Sequence, residues 1–328
     1  MIHALAADIG GTNARLAWVD VPADAASMPS VLAAQTYRCA DFPGLAEILQ
    51  RFLADHPGQP QALALAVAGL RHADEILNQN LPWRLPLAPI RALAGSAPLY
   101  LSNDFEALAR ATRWLAAEAG TLLYGPSAAR AAAAPVVVLG PGTGLGAALR
   151  VPAGRDEVVV PTEGGQAAFA PGNALEDALL AHLRARSEHV CAEALLSGPG
   201  LLNLYRALAE LEGVRASADT PEAVGRAAVD GSDPLARRAA EVFWAALAGA
   251  CGNAVLALGA YGGVLLAGGI LPRLMPCFDA DAFAARFIGK GSLQPVLERV
   301  PVRLIEHGQL GIVGAAMAVS SGTVPPAG

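Results

Sequence analysis

The stretch Ala4-Leu5-Ala6-Ala7-Asp8-Ile9-Gly10-Gly11-Thr12-Asn13-Ala14-Arg15-Leu16-Ala17-Trp18-Val19 decides the fold. A short apolar run ends at a carboxylate and two adjacent glycines, and an extended apolar pattern then resumes. Adjacent glycines after a short strand predict a tight hairpin. Glycines also leave backbone N–H groups bare, here with the Thr12 hydroxyl beside them. Such a concave array suits phosphate oxygens. The same plan returns farther on. Val136-Val137-Val138-Leu139 runs into Gly140-Pro141-Gly142-Thr143-Gly144-Leu145-Gly146 and then Ala147-Ala148-Leu149-Arg150. Neither turn is a Walker A loop, because no Gly-Lys-Ser/Thr follows. Neither fits the Rossmann fingerprint, because the run after each turn is extended, not helical, and no suitably spaced acid follows. One such turn alone reads as an ordinary hairpin. Two of like build point to nucleotide phosphates and to two related half-domains.

Outward from these turns, strands alternate with helices, which makes the class α/β. Helices are expected at 42–55 with Asp41 as N-cap, at 105–119, 174–186, 197–211, in a long region ending near Leu258, and at 311–319. Buried strands are expected at 62–68 and 99–101. An alanine-rich surface loop is expected at 125–135 and a frayed tail at 320–328. Two α/β lobes with a cleft between them follow from the paired turns. From Trp244 to Leu271 no residue is charged, long enough for a membrane helix. Seven glycines and Asn253 break that stretch, so it reads as a buried helix, a turn, a short strand and a second turn.

Composition narrows the function. The 328 residues are 54% hydrophobic and 16% charged, against about 25% charged on average, which excludes disorder over most of the chain. Lys and Arg total 23 against 29 Asp and Glu, and no basic run stands out, so no nucleic-acid partner is expected. Cys39, Cys191, Cys251 and Cys277 form no Cys-x-x-Cys motif and read as reduced, partly buried thiols of a cytoplasmic protein. Met1-Ile2-His3-Ala4 has no basic leader region, so neither a secretory signal nor a membrane association is expected.

Several side chains stand at strand ends, where open α/β sheets bind ligands. Asp8, beside the first turn, is a natural magnesium anchor through water; its bland alternative is a turn cap. Asp104 follows the strand ending at Ser102-Asn103 and can take a proton from an attacking hydroxyl. Its alternative is an N-cap for a helix starting at Phe105. Glu163, in Pro161-Thr162-Glu163-Gly164-Gly165-Gln166, and Glu193, before the helix opened by Ser197, are carboxylates suited to bridging sugar hydroxyls.

In order along the chain, these segments resemble the bacterial ATP-dependent glucokinases of the hexokinase–actin superfamily. Asp8 to Leu16 resembles their first phosphate motif, Asn103-Asp104-Phe105 the sugar-binding and catalytic turn, and Leu139 to Gly146 the second phosphate motif. Glu163-Gly164-Gly165 with Phe169-Ala170-Pro171 resembles a sugar-site loop. Ser197-Gly198-Pro199-Gly200-Leu201 with Asn203-Leu204-Tyr205 resembles a family signature, and Gly262 to Ile270 the adenosine motif. The resemblance implies a two-lobed, ribonuclease-H-like fold. The small lobe would hold residues 1–105 plus about 305–328, the large lobe 106–304. It implies ATP and Mg²⁺, with phosphates on Gly10, Gly11, Thr12, Asn13, Gly142, Thr143 and Gly144, and adenosine near Gly268 and Gly269. It implies D-glucose held by Asn103, Asp104, Glu163, Gln166 and Glu193, with Asp104 as base towards the 6-hydroxyl, and a homodimer. Lobe closure would exclude water, which otherwise competes as phosphoryl acceptor.

Three departures matter. Gln166 stands where the family carries a His that contacts the sugar near its anomeric end. Gly69-Leu70-Arg71-His72-Ala73-Asp74 places Leu for a Pro and Ala for a Gly, while Asp74, Asn80 and Trp83 remain. The Cys-rich zinc motif of the related repressor–kinase group and its N-terminal helix-turn-helix are missing. A kinase for another hexose, and a sugar sensor without turnover, are the competing readings.

Overall fold

The computed structural model describes residues 1–24, 27–78, 81–127, 134–154, 156–306 and 308–320. Asn80, the centre of the 125–135 loop and the tail beyond Ser320 lie outside them. The chain forms two compact units: Ala116–Glu306 is one, and Met1–Leu115 with the C-terminal helix is the other.

The first unit is built on a five-stranded sheet ordered β3-β2-β1-β4-β8. Its strands are β1 (Ile2–Ile9), β2 (Asn13–Val21), β3 (Ser30–Arg38), β4 (Ala62–Val67) and β8 (Leu99–Ser102). β1, β2 and β3 form an antiparallel meander, and β4 and β8 continue the sheet parallel to β1. Alternation along β1 explains the packing. Leu5, Ala7 and Ile9 join Leu63 and Leu65 on the face covered by α1 (Leu45–Asp55) and α2 (Ala88–Ala94). Ala4, Ala6, Ala62 and Ala64 turn to the other face, where Ile312 and Ala316 of α11 (Leu310–Met317) meet them. Small residues on both sides let that helix lie close. A Cβ on Gly314 would overlap the Ala107 carbonyl of α3 (Asp104–Ala111). Arg110 of α3 donates to the Gly314 carbonyl at 3.2 Å, tying the same two helices.

The second unit carries a six-stranded sheet ordered β12-β11-β10-β13-β14-β9. Its strands are β9 (Thr121–Tyr124), β10 (Val136–Pro141), β11 (Leu145–Ala153), β12 (Asp156–Thr162), β13 (Gly263–Leu266) and β14 (Val302–Leu304). Again a three-stranded meander is followed by parallel strands: β13 and β14 run parallel to β10, and β9 closes the edge antiparallel. The repeated plan read from the glycine turns therefore extends to both sheets. α4 (Ala174–Arg184), α5 (Gly198–Glu212), α6 (Pro221–Asp230), α7 (Pro234–Leu258), α8 (Ile270–Leu274), α9 (Ala280–Ile288) and α10 (Gln294–Leu297) complete the unit. By length and composition α7 could cross a membrane. It packs instead against α5, α6 and α9 with Phe243, Trp244 and Leu247 in the core.

Two helix boundaries correct the sequence reading. Asp41 caps nothing. It ends a short 3-10 turn, and α1 begins after Gly44. Pro43 is the reason, because it holds the preceding Phe42 in extended backbone. The helix expected to run from 105 to 119 ends at Ala111 and passes through a 3-10 turn, Thr112–Trp114, into extended Leu115. The buried Thr112 hydroxyl donates back to the Ala109 carbonyl at 2.7 Å there. All four cysteines are buried and free, in line with the reduced thiols expected. Burial pushes the Cys251 thiol up to about 12.

A small sheet, β5 (Leu70–His72), β6 (Glu75–Leu77) and β7 (Leu85–Pro86), holds the departure at Ala73. His72 pairs with Glu75 across the hairpin, so Ala73 occupies its two-residue turn, with φ at +50°. An L side chain in that left-handed region costs roughly 1–2 kcal/mol. Asp74 holds the turn through its ion pair with Arg91 and through the Leu87 N–H on its carbonyl at 2.9 Å. Ala73→Gly is expected to raise stability by about 1 kcal/mol, a gain read from the midpoint of denaturant unfolding. No gain would mean that the turn is relaxed.

Candidate active site

In the first unit the site residues gather where the parallel strands end. Register places Asp8 of β1 beside Ala66 of β4, and Ala66 beside Ser102 of β8. The Gly10–Asn13 turn and the Asn103-Asp104 pair therefore leave one edge of one sheet. The turn is a hairpin closed by the Gly10 N–H on the Asn13 carbonyl at 3.0 Å. Cys39 braces it twice: its N–H donates to the Thr12 carbonyl at 2.9 Å and its thiol to the Gly10 carbonyl at 3.4 Å. The Trp83 indole then holds the Cys39 carbonyl at 3.0 Å.

Asp8 turns to the α11 side of the sheet. A Cβ on Gly311 would stand 2.6 Å from its carboxyl carbon, so glycine there makes room for the carboxylate. Arg15, its antiparallel partner on β2, stands at 3.1 Å from one carboxylate oxygen. The sequence reading assigned no role to either Arg15 or Gly311. Arg15 lies within the quoted motif; nothing in the sequence links Gly311 to a residue three hundred positions away.

Asn103, not Asp104, caps α3. Its Oδ1 accepts from the N–H groups of Phe105 at 2.9 Å and Glu106 at 3.2 Å, and Glu106 accepts from the Asn103 N–H at 3.2 Å, a reciprocal capping box. Asp104 is the first helical residue, and its Oδ1 accepts from the Phe105 N–H at 2.9 Å. The simple capping alternative for Asp104 therefore passes to its neighbour.

In the second unit the remaining residues form one cluster. The Gly142 N–H closes its turn on the Gly144 carbonyl at 2.7 Å, and the Gly142 carbonyl accepts from Gly198 at the start of α5 at 2.8 Å. Gly268 lies beside the same turn. Its φ is +107° and a Cβ would overlap the Pro141 carbonyl, so glycine is required by the backbone. Gly142 and Gly269 differ, since a Cβ on either would meet nothing within 4 Å. Packing among the described residues does not explain those two glycines, and the space is what a ligand lying against the backbone needs.

The residues of the Glu163–Gln166 loop reach this turn through Glu193. One of its carboxylate oxygens accepts from the Leu145 N–H at 2.8 Å, the other from the Gln166 amide at 3.0 Å. Gln166 sits there because 167–169 runs beside 190–192, with the Ala192 N–H on the Ala167 carbonyl and the Phe169 N–H on the Val190 carbonyl, both at 2.9 Å. His189 donates to the Gln166 carbonyl at 2.8 Å. Glu163 opens the short turn Gly164–Gln166 and is exposed. Behind the loop, Glu176 is 1% exposed and takes the Gly172 N–H at 2.7 Å, the Asn173 amide at 3.1 Å and the Arg286 guanidinium at 2.9 Å.

Among the described residues no three His, Cys, Asp or Glu side chains gather in a way that would hold a metal ion. A single carboxylate at Asp8 fits magnesium that arrives with a phosphate ligand, because Mg²⁺ keeps several waters and takes one or two carboxylates.

Fold and site together define an α/β protein on two mixed sheets of one plan, each with a glycine hairpin where its parallel strands end. The family model described as Glucokinase matches residues 5–321. A glucokinase-like protein of Xylella fastidiosa is 45% identical over 313 residues, 95% of this chain and 93% of its own. A glucokinase of Paramagnetospirillum magneticum is 41% identical over 319 residues, 96% of this chain and 97% of its own. The crystal structure of a glucokinase from an Antarctic psychrotroph superposes with a TM-score of 0.82 at 31% identity, covering 98% of this chain and 99% of that one. The chain belongs to the glucokinase family.

Proposed function

We propose that this protein transfers the γ-phosphoryl group of ATP to the 6-hydroxyl of D-glucose, giving glucose 6-phosphate and ADP in the cytoplasm. The carrying observation is the row formed by Asp8, the Gly10–Asn13 hairpin and Asp104 at the ends of β1 and β8 in a glucokinase-family chain. In this reading the fold is the two-lobed ribonuclease-H-like one, its lobes corresponding to the two units, and the active form is a homodimer.

Each residue then has a task. Backbone N–H groups of Gly11, Thr12 and Asn13, and of Thr143 and Gly144, hold the phosphates, while those of Gly10 and Gly142 close the two turns. Gly269 lets the adenosine lie against the backbone, and Gly268 makes the tight approach to Pro141 that places it. Asn103 spends its carbonyl on the helix cap and keeps its NH₂ to donate to a sugar hydroxyl. Glu163, Gln166 and Glu193 hold further hydroxyls. Asp104 takes the proton from the 6-hydroxyl as that oxygen attacks phosphorus. Asp8 would hold magnesium through water, and the ion would supply neutralisation of the phosphate charge. The rest of the catalysis is alignment.

The test is an ADP-release assay with MgATP and a panel of hexoses, scoring sugar phosphate alongside. Turnover with glucose above all others supports the reading. A better rate with another hexose would replace the substrate, and glucose binding without turnover would leave a sensor.

Gln166 gives a pH prediction. Gln does not titrate near neutrality, whereas His titrates at about 6.5 and higher beside a carboxylate such as Glu193. In Gln166→His, protonation makes both ring nitrogens donors and pairs the ring with Glu193, drawing that carboxylate away from the sugar. The ratio of the variant's glucose KM to the parent's is therefore expected to rise as pH falls from about 8 to about 6. A ratio that stays flat would remove residue 166 from the sugar contact.

A further inference from the structure

Gly142 and Gly144 belong to one turn, yet their surroundings differ. A Cβ on Gly142 would meet open space, while a Cβ on Gly144 would stand 2.5 Å from a Glu193 carboxylate oxygen and 3.2 Å from its carboxyl carbon. Gly144 is outside the left-handed region, so its backbone does not demand glycine. What a Cβ there would displace is the Glu193 carboxylate. That side chain is held on both sides, by the Leu145 N–H of the turn at 2.8 Å and by the Gln166 amide of the sugar loop at 3.0 Å. The segment is tied down again at Ser197 and Gly198: the Ser197 hydroxyl donates to the Glu193 carbonyl at 2.8 Å, and the Gly198 N–H to the Gly142 carbonyl at 2.8 Å. Gly165 completes the contact, since a Cβ there would overlap the Leu145 carbonyl.

We propose that Gly144 is a positioning residue for the sugar: the bare turn that serves the nucleotide also sets the place of the Glu193 carboxylate, and through it of Gln166. Sugar and nucleotide contacts in this unit then share one strut. Any atom added at 144 displaces Glu193, and any loss at 166 loosens the support of the Leu145 N–H. Linkage makes such coupling reciprocal. The inference rests on the glucokinase reading given above.

The test uses the full chain and two binding measurements, each with the other ligand absent. Titration calorimetry with glucose and no nucleotide should show Gly144→Ala binding about tenfold to a hundredfold more weakly than the parent, the loss of a charge-assisted contact. Gly225→Ala, within α6, where an added Cβ would make only ordinary contacts, should bind glucose as the parent does. In the converse experiment, Gln166→Leu should bind a non-hydrolysable ATP analogue with Mg²⁺ several-fold more weakly when no sugar is present. Circular dichroism reports whether each variant is folded; should Gly144→Ala misfold, the Gln166→Leu titration decides. Unchanged glucose affinity in folded Gly144→Ala, or unchanged nucleotide affinity in Gln166→Leu, overturns the shared strut. A parent protein that binds no glucose would instead defeat the glucokinase reading itself.

Discussion

Asp104→Asn is expected to bind glucose much as the parent does and to phosphorylate it about a thousandfold more slowly, within the range of general-base effects. The variant is a clean one because of the local fold. The capping box of α3 belongs to Asn103 and Glu106, so changing residue 104 leaves the cap intact. Asn also keeps the size and the acceptor oxygen that meets the Phe105 N–H. What disappears is the basicity and a negative charge in the first helical turn, worth about 0.3–1 kcal/mol to the helix dipole. Melting temperature should therefore fall slightly, while turnover falls steeply. Calorimetry for glucose and a coupled assay for ADP measure the two separately. Turnover near the parent's would remove Asp104 from the base role. Loss of glucose binding would make it a sugar ligand first.

Glu176→Ala should cost the Ala116–Glu306 unit about 3–5 kcal/mol of stability. Glu176 lies in the core with Arg286 as its ion-pair partner at 2.9 Å. It also takes the Gly172 and Asn173 donors that fold the chain into α4. The Arg286 guanidinium fills the space left by two glycines. A Cβ on Gly249 would stand 2.7 Å from its central carbon, and one on Gly172 would overlap it. Removing the carboxylate leaves a wedged cation without its counter-charge, beside Lys290, whose amine burial already pushes down, with the Arg286 charge adding to the effect. Removing both charges is a different experiment. Glu176→Leu with Arg286→Met should recover most of the loss, since a matched apolar pair avoids the desolvation of both ions. Urea unfolding followed by a probe in this unit would measure each variant. If Glu176→Ala cost less than about 1 kcal/mol, the pair would count as an exposed one.

Much of the site was legible because its chemistry is contiguous. Asp8 to Asn13 and Gly142 to Gly144 are turns whose tight hairpins leave little choice of conformation, and the strands on either side are marked by unbroken apolar runs. Asn103-Asp104 follows an equally clear strand. Less was legible where one element's limits depend on another's contacts. Asp41 has the composition of a cap but Pro43 moves the helix start past it. The helix from Asp104 stops at Ala111 although Leu115 to Ala119 continue a helical composition. β3, β9, β12 and β14, and the small sheet of β5, β6 and β7, do not stand out as strands in the sequence, and their place is set by neighbours in the sheet.

By itself the sequence determined the α/β class, the repeated strand–glycine turn–strand plan and the short motifs to which the proposed function assigns phosphate and sugar chemistry. Local rules suffice for these, because a turn needs bare backbone and a buried strand needs a run of apolar side chains. Only the tertiary structure decided which residues serve one another at a distance. Gly311 clears space for Asp8, Cys39 and Trp83 brace the first turn, and Glu193 joins Leu145 to Gln166. Those relations depend on close approach in three dimensions. A glycine whose missing Cβ admits a carboxylate from far along the chain looks, in sequence, like any other glycine.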